Sequence, residues 1–149
     1  MTDSDFMAAA MAEAQAALSD GEIPVGAVLV RDGKILCRAR NLREASHDPT
    51  AHAEMICLRR GGELLGDWRL TGCTLYVTLE PCPMCAGAML MSRISRCVYA
   101  ASDPALGCCG SVYDLPADPA LAGHVRWDQG LMETESRSIL KSFFSQARE

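Results

Sequence analysis

A chain of 149 residues suits one folded domain with a single sizeable core. With 49% hydrophobic and 22% charged residues, the composition excludes a disordered or fibrous protein. A net charge of −5 argues against broad, sequence-independent nucleic-acid binding, and no apolar run approaches the roughly 20 residues that span a bilayer.

The opening "MTDSDFMAAAMAEAQ" is acidic ahead of a short apolar face, unlike a signal peptide, so a cytoplasmic protein is expected. Residues 4–19 read as an amphipathic helix: Met7, Met11, Ala14 and Leu18 recur at helical spacing, Ser4 can cap it and Gly21 can end it. "VGAVLVRDGKILCRAR" reads as a hairpin of two β-rich runs joined by Asp32-Gly33. "HDPTAHAEMICLRRGG" starts a helix near Thr50, with Glu54 in its first turns and Gly61-Gly62 ending it. "CTLYVTLE" is mostly apolar, which suits a central, buried strand. "PCPMCAGAMLMSR" is the next helix, its prolines confined to the first turn. "RCVYAA" is a strand, residues 102–121 form a long loop, and "HVRW" is a short strand. "LMETESRSILKSFFSQ" closes the chain as an amphipathic helix carrying Leu131, Ile139, Leu140, Phe143 and Phe144. Strands alternating with helices after the hairpin imply an α/β sandwich, and no linker, repeat or low-complexity segment divides residues 1–149.

Eight cysteines stand at 37, 57, 73, 82, 85, 97, 108 and 109. In a cytosolic chain of this size they suit metal binding or catalysis better than disulfides. Cys37, Cys57, Cys73 and Cys97 lie inside apolar segments and read as small core residues. Cys108 and Cys109 are adjacent in a glycine-flanked loop, where exposure to oxidation is the plain expectation. Three arginine groups (38, 40 and 43; 59 and 60; 93 and 96) read either as solvated faces or as local basic surface.

Cys82 and Cys85 at a helix start fit a redox pair, core packing or metal binding. Cysteines three apart share a helix face and can reach one ion, and the helix dipole favours their thiolates. With His52 they make three ligands, one short of the four zinc prefers. His47 and His124 lie elsewhere and the spare cysteines look buried, so the fourth place is left for water, the mark of a catalytic site. Glu54 can then act as base and afterwards as acid. Positions two apart share no face in mid-helix, yet in a first turn a short His and a longer Glu can converge.

The joint pattern of "HAE" followed by "PCxxC" resembles the cytidine/deoxycytidylate deaminase superfamily, whose zinc-activated water attacks C4 of cytosine or C6 of adenine. "EIPVGAVLV", Asn41, "HDPTAHAEM", "WRLTGCTLYVTLEPCPMCAGAM", "SRISRCVYAASD" and Gly110-Ser111 are similar to the bacterial tRNA-specific adenosine deaminases, which convert wobble adenosine to inosine. The likeness implies a three-layer α/β/α sandwich around a five-stranded mixed sheet, a homodimer, and one Zn2+ per subunit held by His52, Cys82 and Cys85. It implies Glu54 as proton shuttle, and Asn41, the Ala53 backbone and Asp103 beside the nucleotide of a tRNA anticodon stem-loop. Two departures stand out: the loop after Asp103, commonly lysine-bearing in the family, reads "DPALGCCGS", and the terminal "FFSQARE" offers only Arg148. A deaminase of a free nucleobase or nucleoside such as guanine or cytosine carries the same zinc signature. A non-enzymatic structural zinc or RNA-binding domain is the other alternative, and the presence of Glu54 separates it from an enzyme.

Overall fold

The two faces of one strand lay out the architecture. In β1 (Gly26–Arg31), Ala27 and Leu29 point into one cluster of buried side chains, and Val28 and Val30 point into another. The computed structural model, which describes residues 1–147, repeats this alternation in β3 (Thr74–Leu79) and β4 (Arg96–Ala101). Leu75, Val77, Cys97 and Tyr99 face the first cluster; Tyr76, Val98 and Ala100 face the second. A central sheet buried on both faces must be covered twice. Helix α1 (Asp3–Ser19) covers one face with Phe6, Met7 and Ala10, and α5 (Glu133–Ala147) packs beside it through Ile139. Helices α3 (Ala53–Leu65) and α4 (Pro83–Met91) cover the other with Ile56, Cys57, Ala86 and Met89. The result is the expected three-layer α/β/α sandwich.

The sheet runs β2-β1-β3-β4-β5, with β2 at Lys34–Arg40 and β5 at Arg126–Gln129. β1 is antiparallel to β2 and β3, while β3–β4 and β4–β5 are parallel, so the sheet is mixed as expected. Asp32 and Gly33 both take positive φ (52° and 73°), the conformation of a two-residue hairpin turn.

Several boundaries differ from the sequence expectation. Thr2, not Ser4, caps α1, in a reciprocal box with Asp5, while Gly21, in the left-handed conformation (φ 79°), ends it as expected. Gly61 and Gly62 lie inside α3, which runs on to Gly66 in the left-handed conformation (φ 66°). Gly61 is there for packing: a Cβ would collide with the Cδ2 of Leu29 beneath it. A four-residue helix, α2 (Arg43–Ser46), interrupts what reads as loop, because the buried carboxylate of Glu22 accepts the backbone N–H groups of Glu44 and Ala45 at 2.9 and 2.7 Å. β5 is set two residues later than "HVRW", which brings Trp127 against Tyr99 (ring centroids 5.8 Å apart). Arg148 lies outside the described residues. No described helix is long and apolar enough to cross a membrane.

Candidate active site and metal centre

Parallel strands and helix starts converge on one end of the sheet. β3 ends at Leu79 and leads through Glu80 to Cys82; β4 ends at Ala101 and leads to Ser102 and Asp103. The carboxyl ends of parallel strands are where open α/β sheets bind ligands. Opposite them stand two helix N-termini, with His52 as the cap residue of α3 and Cys82 as that of α4. Neither side chain caps its own helix, so both are available to something else.

They meet each other. His52 Nδ1 lies 3.6 Å from Cys82 Sγ and 3.5 Å from Cys85 Sγ, and the three donor atoms all fall within 4.8 Å. The electrostatics fit a dication. Cys82 is drawn down to about 4, first by hydrogen bonding from the Cys85 thiol and then by His52, so it stands as a thiolate. Cys85 is held strongly protonated, first by sharing its proton with Cys82 and then by burial. Two thiols this close carry one negative charge between them, and a bound dication removes the reason for the second to stay protonated. His52 is raised, chiefly by its bond to Cys82. The donor set, one imidazole and two thiols at helix starts, is one zinc accepts.

Glu54 is in the first turn of α3 and is 4% exposed. Burial pushes its carboxyl up to about 7; its own backbone N–H and His52 pull the other way. A carboxyl poised near neutrality can both take and give a proton. The backbone around His52 is extended (φ −73°, ψ 152°) before the helix starts, which is how residues two apart converge here.

The cluster opens on a cavity of about 520 Å³. Asn41, Ala53, Glu54, His52, Cys82 and Asp103 all line it, so the residues picked out in the sequence share one site; Cys85 lies behind them, fully buried. Asn41 is fixed by two bonds: its N–H donates to the Val25 carbonyl and its Oδ1 accepts from the Arg43 N–H (3.1 and 3.0 Å). Its side-chain amide N–H groups are what remain for a ligand. Asp103 uses Oδ1 to hold its own turn, accepting from the N–H groups of Ala105 and Leu106 (3.0 and 3.3 Å).

Glu80 escaped the sequence reading. It is 2% exposed and collects the backbone N–H groups of Asp103, Cys109 and Ser111 at 2.9, 3.0 and 3.1 Å, together with the Ser111 hydroxyl. It pins the long loop across the cavity. A glutamate just before a proline-cysteine motif carries no spacing signal, because its partners are backbone groups far along the chain. The adjacent cysteines of that loop are buried rather than exposed: the Cys109 carbonyl accepts from the Tyr99 hydroxyl at 2.7 Å, and the Cys108 N–H donates to the Pro81 carbonyl at 2.9 Å. Cys57, Cys73 and Cys97 are fully buried as expected and Cys37 half-buried; all eight thiols are free. Two of the clustered arginines are held in ion pairs: Arg40 with Glu13 and Asp20, and Arg96 with Asp3 and Asp128. Of the clustered arginines only Arg43 reaches the cavity.

The family model for the cytidine and deoxycytidylate deaminase zinc-binding region matches residues 1–101. The chain is 44% identical over 146 residues to the tRNA-specific adenosine deaminase of Bacillus subtilis (strain 168), covering 98% of this chain and 91% of that one. It is 44% identical over 158 residues to the chloroplastic tRNA(adenine(34)) deaminase of Arabidopsis thaliana, covering 95% of this chain but 12% of that protein. A structure solved in a study of A-to-I editing by tRNA:A34 deaminases superposes with a TM-score of 0.89 at 43% identity, covering 91% of this chain and 99% of that one. The chain belongs to the cytidine and deoxycytidylate deaminase zinc-binding family.

Proposed function

We propose that this protein is a zinc-dependent hydrolytic deaminase that converts adenosine to inosine at the wobble position of a tRNA anticodon. The observation that carries the chemistry is the buried Glu54 carboxyl, set on the same cavity wall as the His52–Cys82–Cys85 cluster. The substrate follows the relatives at 44% identity, which are named as tRNA adenosine deaminases.

His52, Cys82 and Cys85 hold the zinc. When bound, zinc acts as a Lewis acid that makes water a nucleophile at neutral pH. Glu54 takes the proton that water gives up and passes it to the departing amino group, so that ammonia leaves and the ring carbon keeps the oxygen. Burial raises the Glu54 carboxyl, which helps it hold a proton between the two transfers. The amide N–H groups of Asn41 donate to the base, the backbone at Ala53 lies beside it, and Asp103 shapes the turn that meets the nucleotide. The base enters flipped out of a single-stranded anticodon loop, where unstacking costs little. The active species is a cytoplasmic homodimer of one deaminase domain, residues 1–149.

The test compares substrates. The protein is incubated separately with a wobble-adenosine tRNA, guanine and cytosine, and ammonia is measured; release from the tRNA alone is the expected result. The comparison includes guanine because a guanine deaminase structure from Bacillus subtilis superposes with a TM-score of 0.68 at 33% identity, covering all of this chain and 96% of that one. Ammonia from a free base and none from tRNA would reverse the assignment.

A further inference from the structure

The cavity lining carries three carboxylates, Glu54, Glu80 and Asp103, and only two arginines among the described residues, Arg43 and Arg137. Arg137 comes from α5, with Leu140 and Phe144 lining the same cavity three and seven residues on, so one face of the helix forms this wall. The Arg137 guanidinium is held on one side. Nε and Nη2 donate to Glu133 Oε1 at 3.0 and 2.8 Å, and Nη2 also donates to Ser102 Oγ at 2.9 Å. Ser102 follows directly on β4, so the guanidinium is tied to the rim where the strand ends. Nη1 makes no hydrogen bond to another described residue, and the side chain is 50% exposed. Nη1 keeps both of its N–H donors on a cation whose other two nitrogens are already tied down, and such donors match a phosphate oxygen, which accepts charge-assisted hydrogen bonds.

On the reading that the substrate is an RNA strand, we propose that Arg137 is a substrate-binding residue that takes a backbone phosphate of the nucleotide strand entering the cavity. A free nucleobase has no such group, so Arg137 favours a polynucleotide over a free base at a site whose other charges are mostly negative. It places the strand and takes no part in proton transfer.

The test measures inosine formation on an anticodon stem-loop over a series of salt concentrations. Arg137→Ala is expected to raise KM about tenfold with kcat within about twofold. The slope of log(kcat/KM) against log salt should flatten by about one. Arg137→Lys keeps the charge and should keep the slope while recovering only part of the KM, since a flexible ammonium is not held at the rim by Glu133 and Ser102 as the planar guanidinium is. An unchanged KM and slope in Arg137→Ala, a loss of kcat with the slope unmoved, or the same flattening in Arg137→Lys would each overturn the assignment. If the wild-type protein forms no inosine on the stem-loop, the tRNA reading itself fails and this inference falls with it; if the wild type is active and the variants behave alike, only the inference falls.

Discussion

Gly107 lies so close over the carboxylate of Glu80 that a Cβ on it would overlap Cδ and both oxygens. That contact explains how a loop of some twenty residues keeps one shape over the cavity. The loop's N–H groups point at a buried anion, and at Gly107 the chain passes so close to it that no side chain would fit. Gly107→Ala should therefore shift the loop and raise KM for the substrate with zinc content unchanged. Wild-type KM in Gly107→Ala would show that the loop does not shape the entrance.

Glu80→Gln tests the same contact by charge rather than volume. A glutamine offers one oxygen to donors that the two carboxylate oxygens share, and turns an N–H group towards other N–H groups. Leaving a buried donor unpaired costs about 1–3 kcal/mol. Urea unfolding should show a loss in that range, and equal stability would mean that the network rearranges freely.

The pair Gly61 and Gly62 separates packing from helix propensity. A Cβ at Gly61 collides with the Cδ2 of Leu29, a fully buried side chain of the core, whereas one at Gly62 meets only the Asp67 carbonyl at 3.5 Å. Alanine is a better helix former than glycine by about 1 kcal/mol. Gly62→Ala should stabilise the protein by up to that amount; Gly61→Ala should destabilise it by about 1 kcal/mol or more. Matching signs in thermal denaturation would contradict the packing argument.

Those two glycines also show what the sequence could and could not convey. The apolar runs in "GAVLVR" and "TLYVTL" are a local property, and they marked buried strands correctly. "HAE" and "PCxxC" placed the metal cluster, because ligand chemistry restricts residue types at short spacing. Gly61-Gly62 looked like a helix end because a glycine chosen for close approach to a distant leucine is written the same way as one chosen for a turn. Glu22, Glu80 and Arg137 act through contacts between residues far apart in the chain, which no local pattern announces.

Acid sensitivity should centre on Asp3. Arg96 grips it through both amino nitrogens at 3.1 and 3.0 Å while Arg96 Nε holds Asp128 at 2.9 Å, joining α1 to β4 and β5. Arg96 and then Tyr76 draw the Asp3 carboxyl below its ordinary value. A depressed carboxyl stabilises the fold fully above its unfolded value, near 4, and the contribution is lost as pH falls through the folded value. Because Asp3 is 45% exposed, the effect is discounted to under about 1 kcal/mol. Asp3→Asn should lower stability at pH 7, and the loss should shrink as the pH falls below about 4. A loss that stays equal as the pH falls would remove the charge from the explanation.

Metal removal exposes a distinctive thiol. In chelator-stripped protein Cys82, at about 4, is a thiolate at pH 6 and half-buried, so iodoacetamide should modify it quickly. Cys37, also half-buried but outside the cavity lining, serves as the comparison thiol. Zinc should protect Cys82 and not Cys37 in a peptide map. Protection of neither would place the metal elsewhere.

The most direct test of the account replaces Glu54 with alanine and measures two quantities on one preparation, bound zinc and inosine in a wobble-adenosine tRNA. Glu54→Ala should hold about one zinc per chain, as in the wild type, with inosine formation reduced by about a thousandfold or more. Inosine formed at near the wild-type rate by a zinc-loaded Glu54→Ala protein would contradict the proton-shuttle role of Glu54.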